Sequence, residues 1–295
     1  MNAGTGHPLI AAASSSGTSN LQAVAQLYSQ LAGVLAGFAF AGIIAILTLT
    51  FSSRAGGALS IGLPPLLSAF LGLTVSSLNY ALISGESSVG HHVRDVQVAA
   101  GAGFGSAGLT LLYALYVLLT AVTTRERTIL AALSSSRHLL LRVVLVSAPV
   151  LAVVVYTGIV DHLEGGDQYV PPLSSRGWPG LIALVVVCLG TLILALWRPR
   201  RLVWTFREIQ VVSAVAATLS LASLLATNLI VLLVGDDQIV ADLVPNIGIW
   251  MFAGFTLMLL ASAVRLHVVA QELSTGRLGL FRRRHNWMLM TQQLK

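Results

Sequence analysis

The chain has 295 residues, of which 56% are hydrophobic and 9% charged, with a net charge of +6. Soluble domains carry about 25% charged residues, so most of this surface is not built to face water, and a bilayer is the solvent it fits. The single cysteine, Cys188, excludes an intrachain disulfide and a cysteine metal cluster.

The chain begins with Ala, Ser, Gly and Thr and has no basic start. Residues 1–26 therefore read as a disordered extracytoplasmic leader rather than a cleaved signal peptide. Seven apolar runs follow, near 28–52, 61–84, 97–122, 139–160, 178–197, 210–234 and 247–270. Each is about the 20 residues that a helix needs to cross a hydrocarbon core. Barrel strands are half that length and alternate in polarity, so helices are expected. Gly33 and Gly37 lie in the first run, Asn79 and Tyr80 near the end of the second. The third run contains Gly101, the stretch GFGSAG from Gly103 to Gly108, and Tyr113 and Tyr116. The fourth holds Arg142 one turn in, Pro149 at mid-span, and Tyr156 and Thr157. Pro149 removes one N–H and frees the Leu145 carbonyl, which predicts a kink. Asp161 opens a long connection, and Pro179 sits just inside the fifth run. Ser213, Ser220 and Thr227 share one face of the sixth, with Asn228 next to them. Pro245-Asn246 opens the seventh, which carries Arg265 and His267 near its end. The expected organisation is all-α and polytopic. A seven-helix transmembrane bundle over 27–270 follows the leader, and a basic amphipathic cytoplasmic tail over 271–295 ends the chain.

Charge gives the direction. Fifteen of the seventeen basic residues fall in the first, third and fifth connections, the adjoining helix ends and the tail. Eight of the eleven acidic residues fall on the other side. Short loops rich in Arg and Lys stay in the cytoplasm. The N-terminus is expected outside and the C-terminus inside, in the cell membrane. Sixteen arginines against one lysine, Lys295, fit a GC-rich bacterial genome. The tail alternates apolar residues with Arg277, Arg282, Arg283 and Arg284. It is expected on anionic inner-leaflet lipids, at about 1 kcal/mol per basic residue near the surface. Docking to a cytoplasmic partner is the alternative. Nucleic acid is not an expected partner, because no basic patch interleaves with aromatics on a soluble domain.

GFGSAG matches the dinucleotide-binding fingerprint letter for letter. That loop must follow a strand and be wetted by solvent; this one lies inside an apolar run. Gly101, Gly105 and Gly108 lie on nearly one face, as do Gly33 and Gly37, and small residues so spaced let helix backbones approach closely. Leu at Gly105 is accordingly expected to cost more than Leu at Ala107.

Sites for chemistry are few. No Asp, Glu or Lys falls near the middle of a span, which argues against proton pumps and voltage sensors. The span number and direction resemble those of microbial rhodopsins and G-protein-coupled receptors, but the seventh span has no lysine for retinal and no receptor motif is present. His138 and His267 both lie at cytoplasmic span ends, where two helices can offer axial ligands to haem; haem pairs usually lie deeper, so interfacial histidines are the expected reading. His91-His92 lacks a third metal ligand. No catalytic, cofactor or metal site is expected. Asn79, Tyr80, Tyr156, Asp161, Thr227 and Asn228 outline an outward-facing polar pocket or a set of interhelical hydrogen bonds. The leading expectation is a non-catalytic sensor, assembly or accessory protein, with a membrane protein or a second copy as partner. The alternatives are a channel or carrier for a neutral or cationic solute, and a membrane enzyme or haem protein.

Overall fold

The computed structural model describes residues 8–52, 62–85, 91–125, 130–164, 178–196, 206–234 and 238–274. The described elements are all helical: α1 Pro8–Ser52, α2 Leu63–Gly85, α3 His91–Arg125, α4 Leu130–Glu164, α5 Trp178–Leu196, α6 Phe206–Val234 and α7 Gln238–Ser274. Six are long and apolar enough to cross a membrane: Gln22–Thr48, Leu63–Gly85, Ala100–Thr120, Ser135–Thr157, Trp178–Leu196 and Trp250–Val269. In α6 the shorter stretch Val211–Ala226 is apolar. The chain is a multi-pass membrane protein.

Five helices, α1, α3, α4, α6 and α7, start earlier than their apolar runs. α1 begins at Pro8, so residues 8–26, read as a disordered leader, are helical. A span already supplies the helix nucleus, so the helix extends through Ala25, Ala23 and Ala11–Ala13, although Ser14 to Asn20 between them are weak helix formers. α7 starts at Gln238, ahead of Pro245. α4 passes through Pro149 without ending.

α3 is the hub. It packs against α2, α4, α6 and α7, while α5 sits outside against α4 and α7. α1 lies along α2. Its buried residues Ala25, Ala32, Ala36, Ala39, Ile43 and Ile46 are spaced by threes, fours and sevens, the seam of a left-handed helix pair. Ser29 and Ser77 lock that pair reciprocally, each Oγ donating to the other's backbone carbonyl at 2.9 Å. Lipid-facing positions are large and apolar, among them Leu27, Phe38, Val146 and Leu196. The core has three clusters, the smallest around Tyr80, Ile83 and Ala100. Leu66, Ala69, Leu73, Ala107 and Leu111 join α1, α2 and α3. Leu109, Tyr113, Val144, Val187 and Leu259 join α3, α4, α5 and α7.

The close backbone approaches are not all where the spacing put them. A Cβ on Gly105 would meet only the tip of Leu151, at 3.3 Å, and one on Gly101 would meet the Tyr80 hydroxyl at 3.7 Å. A Cβ on Gly33 would lie 3.7 Å from Ser77 Oγ. Gly37 and Gly108 meet nothing within 4 Å, so neither is a contact between helices of this bundle. The tight positions are Gly72, where an added Cβ would lie 2.9 Å from Ala107 Cβ, and Gly103, where it would run into Leu224 and Ser76. Gly190 is equally closed by Leu257. The expected order of Gly105 and Ala107 is therefore reversed. Ala107 faces the α2 backbone, whereas Gly105 faces a flexible side-chain end.

Candidate functional site

The outer polar residues divide between different parts of the bundle. α2 and α6 do pack together: Ser68 Oγ donates to the Ala217 carbonyl at 2.8 Å. Continuing that parallel register brings position 228 of α6 level with Asn79, which is buried. Tyr80 turns the other way. Its ring stacks on Tyr28 of α1 at 5.3 Å, inside a cluster with Ala25, Ile83, Val96 and Ala100. Tyr156 packs against the α3–α4–α5–α7 core instead. Tyr80 and Tyr156 thus do not line one pocket with Asn79. Neighbouring positions on a helix point about 100° apart, and helix order decides which neighbour each meets. The side chains of Asp161, Thr227 and Asn228, and the whole tail with Arg282, Arg283 and Arg284, lie outside the described residues.

A denser polar set lies toward the other end of the bundle. Tyr113 on α3 and Ser262 on α7 share a hydrogen bond of 2.6 Å in the fully buried core. Buried Ser213 of α6 belongs to the same level. One turn further along α3 is Tyr116, also fully buried. Its hydroxyl comes near that of Thr120, whose own proton goes to the Tyr116 backbone carbonyl at 2.8 Å, and it makes no hydrogen bond. Arg137 of α4 is only 5% exposed, and its Nε has no partner. His267 of α7 also has a buried ring nitrogen, Nδ1, without a partner. Arg137 is within electrostatic reach of both Tyr116 and His267. The rings of His138 and His267 meet edge to face with centroids 4.7 Å apart. Rings in such contact leave no gap for a porphyrin plane, so this geometry does not fit haem held between them.

Arg142 is the arginine furthest into the fourth apolar run. In the structure Arg142 is exposed and Arg137 is the buried one. Five residues along a helix change the face by about 140°, and only the packing of α3, α4 and α7 tells which face is inside. The adjacent pair Arg137-His138, opposite a lone histidine on another span, was the available signal. Among the described residues no group of three His, Cys, Asp or Glu is placed to hold a metal.

A third feature lies on the outside. Gln30, Gly33, Gly37 and Ala41 are exposed on α1 and, spaced at three and four residues, share one face, which at Gly33 borders α2 at Ser77. Compared with protein-family models, curated proteins and solved structures, the chain matches none.

Proposed function

We propose that this protein is a non-catalytic assembly or accessory component of the cytoplasmic membrane, joined to another transmembrane helix through the outer face of α1. The observation that carries this reading is the Gln30–Gly33–Gly37–Ala41 stripe, exposed in the isolated chain, on which Gly37 meets nothing within 4 Å. Glycine in a helix costs about 1 kcal/mol relative to alanine and gains nothing by facing hydrocarbon. Close approach of a second helix offsets that cost, and a side-chain amide at membrane depth gains from a partner across such an interface. The partner is a second copy or a different membrane protein. The N-terminus is outside and the C-terminus inside, seven helices cross the membrane, and the arginine-rich tail lies on anionic lipid. The buried cation Arg137 makes a pathway for cationic solutes the weaker reading.

Gly37→Cys in a Cys188→Ser background, oxidised in native membranes, should give a crosslinked species larger than the monomer. Gly37→Leu should abolish co-purification of the partner or convert an oligomer to a monomer, with the melting temperature of the chain unchanged. A Gly37→Cys protein that stays monomeric on oxidation, together with wild-type protein that purifies alone as a monomer, removes the proposal.

A further inference from the structure

We propose that the junction of α3, α4 and α7 binds a phosphate-class oxyanion, held by Arg137 with His267 and Tyr116. Arg137 places a guanidinium, a delocalised cation with five donors, in a position only 5% exposed. An uncompensated charge in a low-dielectric interior is costly. The side chains of all eleven Asp and Glu residues lie outside the described residues. The acidic positions nearest this end in sequence are Glu126, Glu208 and Glu272.

Three helices that contact one another pairwise contribute three buried polar atoms with no partner: Arg137 Nε, Tyr116 Oη and His267 Nδ1. All three can donate, the imidazole in the form with its proton on Nδ1. Three donors from three helices, one of them a guanidinium, match an oxyanion with several acceptor oxygens. A cation or a neutral apolar group would leave these donors unpaired. Arg142 and Arg265 on the same two helices add positive potential at this end. The edge contact of His138 fixes the His267 ring. A phosphate from an anionic lipid headgroup and a free inorganic phosphate share this chemistry.

The test uses the full-length protein purified in a neutral detergent. Thermal midpoint and calorimetric binding are followed with inorganic phosphate in one arm and short-chain phosphatidic acid in mixed micelles in the other. Equal ionic strength of chloride, and phosphatidylcholine, serve as controls. Wild-type protein should be stabilised by at least one probe beyond its control. Response to phosphate identifies a free oxyanion, and response to phosphatidic acid alone identifies a lipid headgroup. Arg137→Gln should abolish the response. Tyr116→Phe and His267→Phe should each weaken binding by about tenfold, the effect of one hydrogen bond to a charged group; they carry the test if Arg137→Gln does not fold. No response of wild-type protein beyond the controls overturns the site. So does a response that is the same in Tyr116→Phe and His267→Phe as in wild type.

Discussion

Gly72 and Ala107 show how finely one methyl group is placed between helices. An added Cβ at Gly72 would sit 2.9 Å from Ala107 Cβ, and neither group has a torsion by which to move aside. We expect Gly72→Ala to lower stability by ~1–3 kcal/mol, the usual cost of overpacking. Adding Ala107→Gly should recover most of that loss, because the two sites compete for one volume. Gly108→Ala, with nothing within 4 Å, should be neutral or stabilise by a few tenths of a kcal/mol. Thermal melting of the three variants in detergent checks all of this, and a Gly72→Ala protein as stable as wild type would be inconsistent with the α2–α3 contact. Tyr113 and Ser262 give a second residue-level test. A double-mutant cycle of Tyr113→Phe and Ser262→Ala should show a coupling of about 0.6–1.7 kcal/mol, the range for interhelical hydrogen bonds in membranes. Zero coupling would mean that the 2.6 Å contact does not persist in solution.

At the scale of helices, the α1–α2 pair is held by an alanine-rich seam and the reciprocal Ser29–Ser77 bonds, whose hydroxyl oxygens are 3.3 Å apart. Ser29→Cys with Ser77→Cys, in a Cys188→Ser background, should form an intrachain crosslink on mild oxidation, seen as faster migration on a gel. Ser29→Cys with Ser84→Cys should not. Helices were the legible part of this chain, because twenty apolar residues in lipid have no other structure open to them. Their pairing was not legible. In a soluble helix the apolar stripe marks the inner face, but α5 is apolar nearly all round, α1 carries polar groups on both its packed and its open face at Ser29 and Gln30, and small residues occur on both kinds of face. An added Cβ would lie 3.7 Å from Tyr80 at Gly101 and 3.3 Å from Leu151 at Gly105, whereas at the similarly spaced Gly37 and Gly108 it would meet nothing within 4 Å, so spacing alone does not separate a closed face from an open one. Of the inner polar set, Tyr116 and His267 were visible as residue types. Their approach to Arg137 depends on α3, α4 and α7 meeting, and no local pattern encodes that.

At the scale of the whole molecule, charge segregation predicts direction independently of helix packing. Fifteen of seventeen basic residues on one side should hold the C-terminus in the cytoplasm. A C-terminal alkaline phosphatase fusion should be inactive and a C-terminal fluorescent protein should be bright. The reverse pair of results would invert the topology, and with it the side of the membrane on which the Arg137 junction lies.

The hub position of α3 has a consequence in time. The bonds Ser68–Ala217 and Tyr113–Ser262 each join residues 149 apart in sequence. A ribosome releases α2 and α3 into the membrane long before α6 and α7 exist. For that interval the faces bearing Ser68, Gly103 and Tyr113 must be met by lipid, by a membrane chaperone or by another chain. The N-terminal five helices are therefore an unfinished surface awaiting two late arrivals. Each half should insert without the other. Co-expressed fragments 1–201 and 202–295 should then find each other and restore a protein that co-purifies and melts cooperatively. The Tyr113→Phe change should weaken that reunion more than it weakens the intact chain, since a covalent tether no longer supplies the local concentration.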